Sequence, residues 1–210
     1  ANIKCGNSLI GPDFYEGKQM TMFDEEEHFK INAFDWRAEF EEVFRGKRKA
    51  TEGTEKEEGF DAVIGNPPYI PLELMTYFER DYYRQKNPFL ERKYDSAVIF
   101  IAQMIQKLNS NGLLSFISSV TWQTGQNYSK LRKYLFENSG LQYLVNLPFN
   151  VFKNAYVDTG VYVFSKKEVT AYKIYQFPKK SKSFDMLSIP YKVVKSSFLA
   201  SPDYKIILEP

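Results

Sequence analysis

Gly59–Ile70 reads GFDAVIGNPPYI, and its two halves behave differently. Phe60 to Ile64 is apolar apart from Asp61, and Val63 and Ile64 favour extended backbone, so this half predicts a buried strand. The other half is Gly65, Asn66, Pro67, Pro68 and Tyr69, a stiff polar-aromatic corner. Proline fixes its own φ and restricts the residue before it, so two in a row hold Asn66 and Tyr69 in a nearly fixed relative pose. Neither proline carries an N–H. The corner therefore presents the Asn66 amide oxygen, the Pro67 carbonyl and the Tyr69 ring. That set suits a planar group bearing an NH2: two acceptors for its two hydrogens and a ring for its π face.

The pattern downstream says where such a corner would sit. Strands are predicted at Phe60–Ile64, Leu113–Ile117, Leu141–Leu147 and Val157–Phe164, with helices at Ser96–Leu108 and Tyr128–Phe136. Leu72–Lys86 reads as a helix or a mobile lid, and Gly140 as the glycine that stops the second helix. Strand–helix alternation predicts an α/β, doubly wound, mostly parallel sheet. The last two strands have no helix between them and are expected to pair antiparallel at the sheet edge. Ligands bind outside the carboxyl ends of strands in such sheets, which is where Gly65–Tyr69 falls.

Upstream, Phe34–Arg45 has the apolar spacing of a helix with Asp35 near its start. Gly46–Gly59 is charged and reads as a surface loop. NIKCGNSLI, from Asn2 to Ile10, reads as a short strand ending at a Gly-Asn turn, with Cys5 in the core. Beyond Lys166 the sequence becomes polar-aromatic, with Lys179, Lys180 and Lys182 close together, and reads as a linker or the start of a second region. Both ends look cut.

Composition narrows the chemistry. The 210 residues are 43% hydrophobic and carry a net charge of only +2, so nucleic-acid contacts must come from local clusters. One cysteine, Cys5, and one histidine, His28, exclude a disulfide framework and a Cys/His zinc site made by this chain alone. They fit a reducing, cytoplasmic location. No apolar run is long enough to span a bilayer. Pro12-Asp13 with Glu16 and Lys18 is similar to a metal-nuclease motif, but the carboxylates crowd into one loop and no metal is expected.

Asn66-Pro67-Pro68-Tyr69 resembles the Asn/Asp-Pro-Pro-Tyr motif of S-adenosylmethionine-dependent amino-group methyltransferases, above all the DNA adenine-N6 enzymes. NIKCGNSLI, KINAFDWRAEFEEVF, the corner itself, KYDSAVIFIAQMIQKLNSNGLLSFISSVTW and VFKNAYVDTGVYVF follow in the order of that family. This run of blocks is most like the methylase part of type IIG restriction–modification enzymes and their defence relatives. The resemblance implies a Rossmann-like methyltransferase sheet, S-adenosylmethionine as donor and duplex DNA as partner. It implies that Asn66, Pro67 and Tyr69 are catalytic, holding the amino group and stacking on a flipped base. Phe152 would close the other face of the base, with Pro68 beside it. Asn7, Ser8 and Leu9, together with Pro67 and Ile70, would contact the donor. The glycine-rich loop Asp-Pro-x-x-Gly-x-Gly is absent, so residues 1–166 are expected to be the catalytic part of a domain whose donor loop lies upstream. Residues 167–210 would then be a linker or the start of a DNA-recognition region. The fragment alone is expected to be inactive. A release-factor glutamine N5-methyltransferase, which also uses NPPYI, and a non-catalytic DNA-binding fragment are the alternatives.

Overall fold

The structure, a computed structural model, describes residues 3–16, 30–44, 48–49, 55–56, 58–148, 157–178, 189–197 and 202–206. Two compact units divide the chain, Ala1–Gly59 and Phe60–Pro210.

In the first unit, α1 (Trp36–Glu39) and α2 (Glu41–Phe44) are single turns. They precede a minimal antiparallel pair, β1 (Arg48–Lys49) and β2 (Glu55–Lys56). Asp35 caps α1, accepting from the Arg37 and Ala38 amides at 2.9 and 3.1 Å. The single helix expected here breaks at Phe40, whose φ of −126° is not helical. The break leaves Phe40 stacked on Trp36, with ring centroids 5.6 Å apart. The strand expected over Asn2–Ile10 does not form among the described residues. Instead the segment turns: Asn7 Oδ1 accepts from the Leu9 amide at 3.3 Å, and Asn7 makes one isolated parallel bridge to Ala33. Without strand alternation Cys5 has no inward face, and it is exposed rather than in the core.

The second unit contains the main sheet. Its elements in chain order are β3 (Phe60–Gly65), α3 (Tyr77–Lys86), α4 (Ser96–Gln106), β4 (Leu108–Ser119), α5 (Thr121–Thr124) and α6 (Ser129–Asn138). β5 (Gly140–Asn146), β6 (Thr159–Ser165), β7 (Ala171–Gln176) and β8 (Tyr191–Lys195) follow. The six strands lie in the order β3-β4-β6-β5-β7-β8. β3 is parallel to β4, and β5 to β7. β6 runs antiparallel to both β4 and β5, so the antiparallel partner of β5 is inside the sheet, not at its edge as expected. The antiparallel edge strand is β8. At the opposite edge β3 is more open than a buried strand, and Ile64 is 86% exposed.

One face of the sheet carries Leu114, Phe116, Tyr162, Phe164, Leu144 and Ile174, all buried and aligned across four strands by register. α4 packs on it, an almost wholly apolar helix whose Asp95 N-cap accepts from the Val98 amide. Each buried aliphatic or aromatic side chain in such a layer contributes about 1.5–3 kcal/mol. Gly140 is required for a reason other than the one expected. Its φ is not positive; a Cβ there would lie 2.6 Å from the Lys167 carbonyl oxygen. The helix instead ends on Ser139, whose hydroxyl donates to the Leu135 carbonyl.

Arg132 on α6 is fully buried, and its guanidinium is satisfied by backbone carbonyls. Its guanidinium donates to the carbonyls of Trp122, Gly125 and Asp203 at 2.7–2.9 Å. Ile206 donates its amide to the Gln123 carbonyl, so residues 203–206 are tied to α5. Residues beyond 166 thus continue the same sheet and then return to it.

Candidate active site

β3 and β4 end side by side, and the Asn66–Ile70 corner leaves from the end of β3. Asn66 is exposed, Pro67 buried, Pro68 exposed and Tyr69 half-buried. The Tyr69 hydroxyl lies 3.1 Å from the Ile117 carbonyl on β4 and 3.4 Å from Asn66 Oδ1. A hydroxyl has one proton, and the shorter contact goes to β4, which leaves lone pairs of Oδ1 open to another donor.

A second clamp, absent from the sequence expectations, comes from the start of α4. Ser96 Oγ donates to the Pro68 carbonyl at 2.5 Å and accepts from the Ile70 amide at 3.1 Å. The Ser96 amide donates to the Ile70 carbonyl at 2.9 Å. A bridge between Pro71 and Asp95 and a bond from the Leu72 amide to the Tyr94 carbonyl extend the attachment. The Pro68 carbonyl is therefore occupied, while the Pro67 carbonyl has no hydrogen-bond partner among the described residues. Asn66 Oδ1 and Pro67 O are the two acceptors the corner can offer.

Electrostatics keep the tyrosines here neutral. Burial, aided by the Asp95 charge, raises the Tyr69 hydroxyl above its ordinary value. Tyr128 is raised in the same way, and complete burial pushes Tyr162 well above 10 against a small opposing effect of Ser118. The Asp95 carboxyl is itself raised by burial, with the Val98 and Ala97 amides pulling it back. The tyrosine shifts have a fixed sign. Below the unfolded value of 10.0 these phenols are neutral in both states, and their contribution to stability is fully present. Above it the unfolded chain releases protons that the native state retains, so stability falls as pH rises. Thermal unfolding should show a falling Tm above about pH 10, and Tyr162→Phe should flatten that fall. An unchanged alkaline slope in the variant would show that Tyr162 ionises equally in both states.

Of the proposed donor contacts, Ile70 is 43% exposed, but its backbone N–H and C=O are both taken by Ser96. Leu9 is buried, and the Ser8 carbonyl accepts from Trp36 Nε1 at 2.9 Å. Asn7 donates its backbone amide to the Asn32 carbonyl, and its Oδ1 accepts from the Leu9 amide. Phe152, His28 and Lys179, Lys180 and Lys182 lie outside the described residues. No group of three or more His, Cys, Asp or Glu side chains suited to a metal occurs among the described residues, and none of their helices is long and apolar enough to cross a membrane.

The sheet thus ends in a rigid corner that sets two open acceptors beside an aromatic ring. The chain belongs to the Eco57I restriction-modification methylase family, which matches residues 2–152. It is 35% identical over 197 residues to a Methanocaldococcus jannaschii protein assigned as a type II restriction enzyme and methyltransferase, covering 88% of this chain and 15% of that one. It is 29% identical over 179 residues to the type II restriction enzyme and methyltransferase RM.Eco57I of Escherichia coli, covering 83% and 15% respectively. The chain thus spans about 15% of the length of these relatives. Among solved structures, the type IIG restriction endonuclease BpuSI superposes with a TM-score of 0.53 at 18% identity, covering 66% of this chain and 19% of that one. DrdV, solved as a DNA complex, gives 0.51 at 16% identity, covering 65% and 17%. These two likenesses establish the fold.

Proposed function

We propose that this chain is the catalytic part of a DNA adenine-N6 methyltransferase within a restriction–modification enzyme. The observation that carries the reading is the pair of available acceptors, Asn66 Oδ1 and the Pro67 carbonyl, beside a half-buried tyrosine ring. The amino nitrogen of adenine is a weak nucleophile because its lone pair is delocalised into the ring. Two acceptors on its hydrogens draw that lone pair out of conjugation and aim it. S-adenosylmethionine supplies an electrophilic methyl group on a sulfonium, so the new N–C bond forms as the C–S bond breaks with its electron pair on sulfur. The methylated nitrogen, now cationic and strongly acidic, then loses one proton to water, while Asn66 and Pro67 act only as hydrogen-bond acceptors. Positioning of this kind supplies up to about 7–11 kcal/mol in ideal cases, with no histidine or metal needed.

The family match and the type II relatives support DNA as the substrate. Adenine inside a duplex cannot reach a corner of this shape, so the base leaves the stack, at a cost of a few kcal/mol. Stacking on Tyr69 returns about 1–3 kcal/mol, and Phe152 is proposed for the opposite face. For the donor, the exposed apolar side chain of Ile70 suits the face of an adenine ring. Asn7, Ser8, Leu9 and Pro67 are proposed as further donor contacts on the family resemblance. Residues 1–166 would carry the chemistry, with β7 and β8 beyond them extending the same sheet.

The test is transfer of a tritiated methyl group to duplex DNA by the full-length protein containing this chain, followed by nucleoside digestion. The label should appear as N6-methyl-2′-deoxyadenosine. Label on cytosine, or on a glutamine side chain of a protein substrate, would refute the reading.

A further inference from the structure

One residue outside the motif binds both residues that flank Tyr69. Ser96 is the first residue of α4, 3% exposed, and separated from Pro68 by 28 positions. Its three hydrogen bonds go to the two residues that flank Tyr69. The hydroxyl spends its only proton on the Pro68 carbonyl and uses a lone pair for the Ile70 amide. The first amide of the helix, which has no partner within the helix itself, is spent on the Ile70 carbonyl. Asp95 caps the same turn, and behind it α4 is buried over most of its length. The anchor is therefore a rigid element, and every bond it makes points at the backbone on either side of the stacking ring.

We propose that Ser96 is a positioning residue for methyl transfer, an inference that rests on the methyltransferase reading above. Its effect is twofold. It fixes Pro68 and Ile70, so the Tyr69 ring is held by its backbone on both sides and by its hydroxyl on β4. It also removes the Pro68 carbonyl from competition. Of the two proline carbonyls, only that of Pro67 is left without a partner among the described residues. With Ser96 absent, Pro68 would regain a free acceptor, and the corner would offer the substrate two alternative poses.

The two variants to compare are Ser96→Ala, which removes the hydroxyl, and Ser96→Thr, which keeps it. Both are made in the full-length protein. Single-turnover transfer to duplex DNA should fall at least about 10-fold in Ser96→Ala, because even sub-ångström misplacement of reacting groups is expensive in rate. KM for donor and for DNA should stay within about threefold, and Ser96→Thr should recover most of the lost rate. Hydrogen exchange at the Ile70 amide reads the clamp without turnover. It should be slow in the parent and in Ser96→Thr and at least about 10-fold faster in Ser96→Ala. An unchanged transfer rate in Ser96→Ala overturns the proposal. So does a rise in KM with kcat preserved, or a folded Ser96→Thr that fails to recover the rate. If the parent transfers no methyl group while Ile70 protection still depends on Ser96, the proposed function fails and the clamp survives as a feature of the fold alone.

Discussion

Asn66→Ala should lower methyl transfer about 10²–10³-fold with DNA and donor binding little changed, the loss found when one positioned hydrogen-bond partner is removed from a reacting group. The side chain is exposed, so the substitution opens no cavity in the core. Its one contact among the described residues, from the Tyr69 hydroxyl at 3.4 Å, is the weaker of the two that hydroxyl makes. The rate loss therefore comes from the chemistry and not from collapse of the corner. Asn66→Asp is the control. A carboxylate keeps an acceptor in the same place but adds a charge, so it should lose less than Asn66→Ala. The measurement is a single-turnover rate at saturating DNA, alongside thermal unfolding of each variant. If Asn66→Ala kept near-normal turnover, the corner would not be the amino-group site.

The corner was legible in sequence because its geometry is local. Two prolines fix it wherever the chain goes, and the preceding run of Phe60, Ala62, Val63 and Ile64 is strand-like on its own. α4 was equally plain, since its apolar residues extend over three turns behind an Asp-Ser start. Ser96 was read only as the first residue of that helix. Its second role depends on a contact 28 residues away, and no local pattern encodes it. The place of β6 was missed for the same reason: a strand pair without a helix predicts antiparallel pairing but not insertion between two parallel neighbours. Asn2–Ile10 was read from β-propensity alone. Pairing decides a strand, and here the Asn7 side chain satisfies the backbone of its own turn. Gly140 was assigned to the right position with the wrong physics, because close approach of the Lys167 carbonyl leaves no trace near Gly140 in sequence.

Tyr69 separates the two halves of the proposed mechanism, since its ring and its hydroxyl serve different ends. Tyr69→Ala removes the stacking surface, and capture of an extrahelical adenine should weaken by about 1–3 kcal/mol, roughly 5- to 150-fold. Asn66 and Pro67 remain in place, so the deficit should fall on base capture more than on transfer. A 2-aminopurine at the target position brightens when it leaves the stack, and its signal should drop in this variant. A mismatched target, already partly unpaired, should restore much of the activity because less flipping work remains. Tyr69→Phe keeps the ring and loses only the bonds to the Ile117 carbonyl and Asn66 Oδ1, so flipping should survive. Its transfer rate should fall modestly, because the ring is then positioned by Ser96 and the prolines without the β4 contact. Together the variants form a strict test. If Tyr69→Ala left 2-aminopurine flipping intact, or a mismatch gave no recovery, the ring would not be the stacking partner. The half-buried tyrosine would then serve only to join the corner to β4, and the π face of the base would have to be met by other residues.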